Sequence, residues 1–215
     1  MVQNLSLNNS IVNQFISELR DSSIQQDRMR FRRNLSRLGE IFAYEISKTF
    51  PYTEREVTTP LGIANVPVLS EQPVIGTILR AGLPLHEGLL NYFDHGDSAF
   101  ISAYRKHHKD GSFEIKLEYV GSPSLDNRIL ILSDPMLATG SSMVATYKSL
   151  MERGTPKHTH IVSVLASTQG VEYVKAHMSE NVTIWCSAID EELTSQSYIV
   201  PGLGDAGDLA YGDKM

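Results

Sequence analysis

The chain has 215 residues, of which 41% are hydrophobic and 20% are charged, values typical of a folded globular protein with a full core. Its net charge of -6 argues against a protein that coats nucleic acid, and no apolar stretch approaches the roughly 20 residues needed to span a bilayer. The N-terminus has no signal-peptide pattern, so we expect a cytoplasmic protein without nucleic-acid or membrane partners.

The first fifty residues are predicted to be helical, with N-terminal helices over residues 10–50. Apolar residues spaced three and four positions apart define two helix faces. The first face contains Ile11, Phe15, Ile16 and Leu19, and the second contains Phe31, Leu35, Leu38, Phe42 and Ile46. Between them, the run RMRFRR at residues 28–33 indicates a solvated helix face or a contact between copies of the chain.

Residues from about 55 to 70 change in character and are rich in Val, Thr, Pro and Gly. This composition predicts an extended β-arm or hairpin. Pro60, Gly62 and Pro67 limit the segment to an edge position, because proline has no backbone N–H to donate to a neighbouring strand.

Residues 73–187 alternate between aliphatic runs and amphipathic helical patterns, which predicts an α/β core with a mostly parallel sheet flanked by helices. Two strands, 98–105 and 113–120, are expected to pair around the polar tract KHHKDGS, which we expect to be an exposed loop. Cys186, the single cysteine, excludes an intrachain disulfide and is predicted to be a buried, inert thiol. We predict one domain over residues 1–215, with ligands bound at the carboxyl ends of the strands.

One loop at such a strand end has the sequence SDPMLATGSS. Its last five residues, 138–142, are all small, so their backbone N–H groups can approach a ligand closely, and Gly140 permits a positive φ. The helix that follows adds unpaired N–H donors and a partial positive charge, and Thr139, Ser141 and Ser142 add hydroxyl groups. This combination predicts a phosphate site. The alternative, an ordinary turn with a serine N-cap, explains only Ser141 or Ser142.

Asp134 stands at the end of the preceding strand, beside this predicted phosphate site. A carboxylate does not bind a phosphate, so we expect Asp134 to accept hydrogen bonds from sugar hydroxyls or to face a cation that accompanies the anion. A ribose 5-phosphate carries both a phosphate group and sugar hydroxyl groups, so it matches these two features. The stretch ILILSDPMLATGSS resembles the phosphoribosyl-diphosphate signature of the type I phosphoribosyltransferases, and its Asp-Pro variant resembles the uracil phosphoribosyltransferases.

This resemblance implies which residues bind 5-phosphoribosyl 1-diphosphate (PRPP). In the loop they are Asp134, Pro135, Met136, Leu137, Ala138, Thr139, Gly140, Ser141 and Ser142. In TILRAGLPL, the LRAG stretch matches the family, and an arginine beside free backbone amides suits a diphosphate oxygen. Arg80 of this stretch and Arg105, at the end of FISAYR, are therefore expected to bind the diphosphate. The local alternative for Arg80 is a surface arginine at a strand end.

The C-terminal segment, residues 188–215, contains PGLGDAGD, which resembles the uracil-recognition loop of the family. A glycine-rich backbone can meet the carbonyl and N–H groups of uracil with its own N–H and C=O groups. The resemblance implies that Ile199, Gly204 and Ala206 bind the base through main-chain groups, and that Asp205 is a uracil and PRPP residue facing the ribose or the hydrated metal. The alternative is a flexible tail.

Some residues depart from the family pattern or lie outside its motifs. Pro135 replaces a second acid, so Asp205 is the best candidate to supply the other negative charge near the ribose. Ser141 replaces a usual glycine, and the ending DLAYGDKM is unusual. Asp208 is expected to stabilise its loop, and the acid cluster IDEEL at residues 189–193 is predicted to be a solvated turn rather than a catalytic carboxylate pair.

The resemblance implies a type I phosphoribosyltransferase fold, with an extended β-arm and a C-terminal base-binding hood, that converts uracil and PRPP to uridine monophosphate (UMP) and diphosphate. Arg80, Arg105, Asp134 and Asp205 would be the catalytic residues. Mg²⁺ is expected as a cofactor, held through PRPP and water without a direct side-chain ligand. Relatives form homodimers or larger homo-oligomers and some respond to GTP, and the sequence leaves both properties open.

Two other functions compete with this one. The first is a regulatory relative that binds RNA and retains weak activity, for which a basic surface and a loop with two acids are expected. The second is a non-catalytic nucleotide-binding module of the same α/β class. Such a module needs no diphosphate arginine together with a base-binding loop.

Overall fold

A computed structural model of the chain describes residues 1–107 and 113–213, and it describes their side chains except at 104–107 and 113–115. The predicted loop KHHKDGS therefore lies almost entirely outside the described residues, and so does the side chain of Arg105. Within the described ranges, no helix is both long enough and apolar enough to cross a membrane.

The described part of the chain alternates between helices and strands. The α-helices are α1 (Ile11–Arg20), α2 (Arg28–Ser47), α3 (Leu83–Leu90), α4 (Ser141–Leu150), α5 (Thr168–His177) and α6 (Ala206–Tyr211), with single 3₁₀ turns at Leu5–Leu7 and Met151–Arg153. The strands are β1 (Val2–Asn4), β2 (Tyr52–Thr59), β3 (Gly62–Leu69), β4 (Val74–Leu79), β5 (Asp97–His107), β6 (Phe113–Gly121), β7 (Ile129–Ser133), β8 (Met136–Leu137), β9 (His158–Ser167), β10 (Val182–Asp190), β11 (Glu192–Leu193) and β12 (Ile199–Val200).

The central sheet has the strand order β1-β10-β9-β7-β4-β5-β6, with the short β8 paired to β9. Its strand pairs are parallel except for β5 and β6, which are antiparallel. The predicted mostly parallel sheet is therefore confirmed, as is the pairing of residues 98–105 with 113–120. Because β4 and β7 are adjacent and parallel, the loops after both strands leave the sheet at the same edge.

Helices cover both faces of this sheet, which explains the continuous aliphatic runs. In β7, Ile129 and Ile131 belong to an apolar cluster with α1, α2 and α3, whereas Leu130 and Leu132 belong to a second cluster with α4 and α5. Successive side chains of a strand point to opposite faces, so a strand buried on both sides requires an unbroken apolar sequence.

Strand β1 was not predicted, because the first fifty residues were expected to be helical. Val2 to Asn4 pair in parallel with Ile184 to Cys186 of β10. Three residues are too few to carry a period-two signal. The neighbouring Cys186 is buried, and burial raises the pKa of its thiol to about 12, as expected for an inert cysteine.

The two predicted N-terminal helices are present, with one correction to the first apolar face. Ile11 is 58% exposed, whereas its neighbour Val12 is 2% exposed and packs with Ile16 and Leu19. Ser10 caps α1, so Ile11 is its first residue and points about 100° away from Val12 around the helix. The second face, on α2, is fully buried as predicted.

A buried carboxylate joins α1 to α2. Glu18 accepts hydrogen bonds from Arg30 Nη2 at 2.7 Å and from Asn34 Nδ2 at 2.7 Å. Hydrogen bonds from Arg30, Asn34 and Gln14 lower the pKa of Glu18 to about 2, against the opposing effect of burial. Arg30 belongs to the run RMRFRR, and its side chain is 48% exposed, so it lies on the predicted solvated face while it pairs with Glu18.

The predicted β-arm is a hairpin formed by β2 and β3. The two strands are antiparallel, with Tyr52 opposite Leu69 at one end and Thr59 opposite Gly62 at the turn. All eight residues of β2 are exposed, and the hairpin forms a two-stranded sheet separate from the central one.

Helices α2 and α3 approach each other through glycines. A Cβ atom on Gly88 would overlap the carbonyl oxygen of Ser36, and one on Gly39 would overlap the carbonyl oxygen of Leu85. Because neither glycine has a side chain, the backbones of α2 and α3 come into direct contact.

We expect Gly88→Ala to destabilise the chain by about 1–3 kcal/mol, because the added methyl group meets backbone rather than a movable side chain. Helix propensity alone predicts the opposite sign, a gain of up to about 1 kcal/mol. Chemical denaturation followed by circular dichroism measures the difference. Gly62→Ala is the matched control, since nothing lies within 4 Å of a Cβ at Gly62, and it should change stability by less than about 0.5 kcal/mol. Unchanged or higher stability of Gly88→Ala would contradict the close approach.

Candidate functional site

A cleft of about 880 Å³ lies where the carboxyl ends of β4 and β7 meet the C-terminal segment. Its lining brings together most of the predicted site residues: Arg80, Asp134, Met136, Leu137, Ala138, Thr139, Gly140, Ser142, Ile199, Gly204, Asp205 and Ala206. These residues come from three separate parts of the chain. The parallel pairing of β4 with β7 explains why two of the parts meet, because both loops leave the same sheet edge.

The backbone of the loop after β7 is fixed by the sheet and by α5. Met136 N–H donates to Asp134 Oδ1 at 3.3 Å, and β8 continues the pairing with β9 beyond Asp134. At the other end of the loop, Ser167 Oγ donates to the carbonyl oxygen of Ala138. These contacts define the path of the loop backbone.

Gly140 has the positive φ that the sequence predicted, at 78°. A Cβ there would also lie 2.9 Å from the carbonyl oxygen of Gly170, so both the dihedral angle and the close approach to α5 favour glycine. Gly140 is the N-cap of α4 and supplies no capping side chain. The alternative of a serine N-cap is therefore wrong for this helix.

The hydroxyl groups of the loop replace only part of the missing cap. Thr139 Oγ1 donates to Ser141 Oγ at 3.1 Å and accepts a hydrogen bond from Ser141 N–H at 3.4 Å. The first N–H groups of α4 have no intrahelical acceptor and carry the positive end of the helix dipole. The loop and the start of α4 therefore form a favourable environment for an anion.

Two loop residues that were predicted to bind PRPP lie differently from their neighbours. Pro135 is buried, and its carbonyl oxygen accepts from Val164 N–H at 3.0 Å and Leu165 N–H at 2.9 Å. Pro135 thus extends the sheet and is outside the cleft lining, and so is Ser141. Ser141 contacts Thr139, which does line the cleft.

Arg80 follows β4 directly and lines the cleft. Its Nη2 donates to Asp208 Oδ1 at 3.0 Å, and its Nε is buried without a hydrogen-bond partner in the described part of the chain. Asp208 was expected only to stabilise its own loop, and this contact with Arg80 was not predicted. The backbone of Arg105 lies in β5, next to β4, but its side chain is outside the described residues.

The base-binding segment predicted from PGLGDAGD is ordered. Ile199 lies in β12, opposite Leu193 of β11, and is 4% exposed. Gly204 has a φ of 95°, and Asp205 follows as the N-cap of α6, accepting from Gly207 N–H at 2.8 Å through Oδ1. Ala206 is the first residue of α6, so its N–H has no intrahelical acceptor. The alternative of a flexible tail is wrong for the described residues.

A guanidinium from α1 holds this segment against β10. Arg20 forms a bidentate ion pair with Asp190, at 2.8 Å from Nη1 and 2.7 Å from Nη2, and its Nη1 also donates to the carbonyl oxygen of Gly202 at 2.9 Å. Asp190 Oδ2 accepts from Gly202 N–H at 3.0 Å. Both backbone polar groups of Gly202 are thereby fixed to one ion pair.

The prediction of a solvated turn at residues 189–193 is therefore wrong for Asp190, which is 8% exposed. Burial acts to raise the pKa of Asp190, but hydrogen bonds from Arg20 and from Gly202 N–H outweigh it and hold the pKa below its ordinary value. Its partners lie 170 and 12 positions away, so no local pattern pointed to them.

A second arginine supports α6 from the other side. Arg32 Nη1 donates to the carbonyl oxygen of Ala210 at 2.7 Å, and its guanidinium lies 5.7 Å from the centre of the Tyr211 ring. Arg32 is also in the run RMRFRR, but it is half-buried and bound to α6, so the prediction of a solvated face is wrong for this arginine. The unusual ending thus includes a helix held by α2.

One edge of the cleft is formed by a turn that the sequence did not indicate as part of the site. The turn between β11 and β12 contributes Ser195, Gln196, Ser197 and Tyr198 to the lining. Thr194 N–H donates to the carbonyl oxygen of Tyr198 at 2.8 Å, which closes this turn. The polar stretch TSQS, residues 194–197, is typical of a turn, but nothing in it indicated a binding role.

The acids of the cleft suit a hydrated cation better than a directly bound one. Asp134 and Asp205 line the same cleft, and the described residues include no group of three or more His, Cys, Asp or Glu that could hold a metal ion. Mg²⁺ prefers oxygen donors, keeps several water molecules and often binds through substrate phosphates. These two carboxylates fit the water shell of such an ion.

Comparisons with known proteins agree with this geometry. The family model for uracil phosphoribosyltransferase matches residues 6–213. A Porphyromonas gingivalis protein named uracil phosphoribosyltransferase is 55% identical over 214 residues, covering 100% of this chain and 99% of that protein. A Methanothermobacter thermautotrophicus protein of the same name is 35% identical over 208 residues, covering 96% and 94% of the two chains.

Solved structures give the same fold. The AQ2163 protein from Aquifex aeolicus superposes with a TM-score of 0.87 at 28% identity, covering 99% of this chain and 98% of that one. A Staphylococcus aureus hypoxanthine phosphoribosyltransferase has a TM-score of 0.52 at 15% identity, with 86% and 83% of the chains covered, and shows the shared fold alone. The predicted phosphoribosyltransferase fold is confirmed, and with a family match over nearly its whole length the chain belongs to the uracil phosphoribosyltransferase family.

Proposed function

We propose that this chain transfers the phosphoribosyl group of PRPP to uracil and releases UMP and diphosphate. The observation that carries this proposal is the single cleft that joins the loop after β7, Arg80 and the glycine-rich C-terminal segment. In the reaction, the bond from the ribose anomeric carbon to the diphosphate oxygen breaks, and its electrons leave on the diphosphate. Uracil N1 bonds to that carbon and loses its proton.

The loop from Asp134 to Ser142 binds the 5′-phosphate and the ribose in this proposal. The positive end of α4 and the small residues Ala138, Thr139 and Gly140 suit the phosphate, and Asp134 accepts hydrogen bonds from the ribose hydroxyls. Pro135 contributes by keeping the loop in the sheet, since its carbonyl oxygen bonds to β9. Holding the sugar in one orientation makes attack at its anomeric carbon effectively unimolecular.

The leaving diphosphate is stabilised by Arg80 and Arg105. Displacement at the anomeric carbon develops positive charge on the sugar and negative charge on the leaving group, so fixed cations beside the diphosphate lower the barrier. Mg²⁺ bound to PRPP supplies further neutralisation of the diphosphate when it is present. Asp134 and Asp205 would hold this ion through its water molecules.

Uracil is recognised by main-chain groups of Ile199, Gly204 and Ala206. Cytosine carries an amino group where uracil has a carbonyl oxygen. Its amino group would therefore face the main-chain N–H donor that binds the carbonyl oxygen of uracil. Mismatched buried hydrogen bonds reject an analogue by orders of magnitude. The described side chains that line the cleft include no His or Lys, which favours a main-chain carbonyl or a water molecule as the acceptor of the N1 proton.

The two competing functions have less support. A regulatory RNA-binding relative is expected to have a basic surface, whereas the net charge is -6 and Pro135 stands in place of a second acid. A non-catalytic nucleotide module needs no arginine beside a base loop, whereas here Arg80 contacts Asp208 of the base segment.

The proposal predicts that the chain forms UMP from uracil and PRPP in the presence of Mg²⁺, with at least about a hundredfold lower kcat/KM for cytosine. The loss of uracil absorbance measures turnover directly. Binding of PRPP without any turnover of uracil would contradict the enzymatic function and favour the nucleotide-binding module.

Gly204→Val should raise the KM for uracil at least about tenfold while leaving the Kd for PRPP within about twofold. A β-branched residue strongly disfavours the φ of 95°, so the backbone that meets the base must move. Initial rates give KM, and calorimetry gives Kd. Gly212→Val is the matched control, because Gly212 has a similar φ of 91° but lies beyond α6. Equal effects of both substitutions would refute the assignment of Gly204.

We infer that the chain is a single domain that forms a homo-oligomer through the hairpin. Helices α1 and α2, the sheet and the C-terminal segment share one apolar cluster, which supports the single domain. The hairpin exposes Leu61 at 100% and Ile63 at 71%, and a second copy of the chain is the partner we propose for this surface. The GTP effector stays an expectation from the family resemblance, and addition of GTP to the turnover assay tests it.

The combined substitution Leu61→Ser and Ile63→Ser should convert the oligomer to a monomer, because it removes the two most exposed apolar side chains of the hairpin. Light scattering measures the molar mass, and circular dichroism checks that the variant is folded. A wild-type chain that is monomeric at all concentrations, or a variant that stays oligomeric, would overturn the role of the hairpin.

A further inference from the structure

We propose that Asp208 is a built-in competitor of the diphosphate for Arg80. In the free protein Asp208 pairs with Arg80, and the diphosphate group of PRPP displaces it on binding. Asp208 pairs with Arg80 again when the diphosphate leaves. This inference rests on the proposed function, because it takes Arg80 to be a diphosphate ligand.

The geometry of the pair is that of a replaceable contact. Arg80 Nη2 lies 3.0 Å from Asp208 Oδ1, and the two side chains are 37% and 34% exposed. Only one donor of the guanidinium is used in this contact, and Nε of Arg80 is buried without a partner among the described residues. An ion pair between arginine and carboxylate that is partly exposed and joined by one hydrogen bond contributes little free energy.

A diphosphate satisfies the same guanidinium better than Asp208 does. It carries more than one negative charge and several acceptor oxygens, so it can accept from two donors of the arginine at once. The exchange therefore proceeds toward the diphosphate when PRPP binds, while the competing carboxylate lowers the net affinity.

Helix α6 does not need the Arg80 pair for its position. The carboxylate of Asp205 caps the helix, Arg32 holds the carbonyl oxygen of Ala210, and Ala206 and Ala210 are buried in the core. A change at Asp208 is therefore expected to leave the fold intact. The same ties keep the Asp208 carboxylate beside Arg80, ready to compete.

The test is calorimetric titration of inorganic diphosphate, with Mg²⁺ in the buffer, into the full chain and four variants. Asp208→Asn should tighten diphosphate binding about three- to fivefold, the range expected from removing one weak ion pair. Arg80→Ala should weaken it, and in the Arg80→Ala background Asp208→Asn should have no further effect. Asp213→Asn is the control, because it removes the same charge from an exposed position of the same segment and should leave the Kd unchanged.

Product inhibition gives an independent measurement of the same exchange. Asp208→Asn should lower the inhibition constant of diphosphate by the same factor while the KM for uracil stays within about twofold. A purely structural role of Asp208 would instead change the thermal unfolding midpoint and both substrates together.

The outcomes separate this inference from the proposed function. Unchanged or weaker diphosphate binding by Asp208→Asn overturns the competitor role, and so does equal tightening in the wild-type and Arg80→Ala backgrounds, which would indicate a general charge effect. If Arg80→Ala binds diphosphate as the wild type does, the competitor role fails because Arg80 is not a ligand, whereas uracil turnover can still proceed. Absence of uracil turnover by the wild type overturns the proposed function itself.

Discussion

The ion pair between Arg20 and Asp190 holds the two halves of the site together. The sheet supplies the phosphate loop and Arg80, but the base-recognition segment is outside the sheet and must be fixed by other means. Arg20, from α1, meets Asp190 at the end of β10 and the carbonyl oxygen of Gly202 at once. Breaking a largely buried pair by removing one partner leaves a charge uncompensated, so the arrangement tolerates little change. This contact therefore helps to set the shape of the cleft.

Local sequence was sufficient for the elements that position the substrate. The unbroken aliphatic run of β7 indicated a strand covered on both faces, and the small residues before α4 indicated a loop that approaches an anion. Gly140 has the predicted positive φ, and the close contact with Gly170 adds a reason that only the fold reveals. Backbone chirality, side-chain size and the alternation of side chains along a strand act over a few residues. Their effects can therefore be inferred from the sequence alone.

Most of the contacts that were missed join distant parts of the chain. Asp190 was expected to be solvated, yet its partner Arg20 lies 170 positions earlier, and Asp208 meets Arg80 across 128 positions. Strand β1 pairs with β10 from the other end of the chain. A charged residue has the same local signature whether it faces water or a partner. Only the family resemblance, which brought the PGLGDAGD segment to the active site, anticipated any of this convergence.

The anchors of the C-terminal segment have a consequence for how base specificity can diverge. Arg20 and Arg32 both donate to carbonyl oxygens, of Gly202 and Ala210, and so they hold the path of the backbone rather than particular side chains. The side chains of the segment can therefore change without losing this attachment, except at its constrained glycines. Gly202 has a φ of 57°, and a Cβ atom there would overlap the carbonyl oxygen of Ile199, just as Gly140 of the phosphate loop is constrained by its φ and by Gly170. The positions between these glycines are a favourable starting point for redesigning the base that the protein accepts.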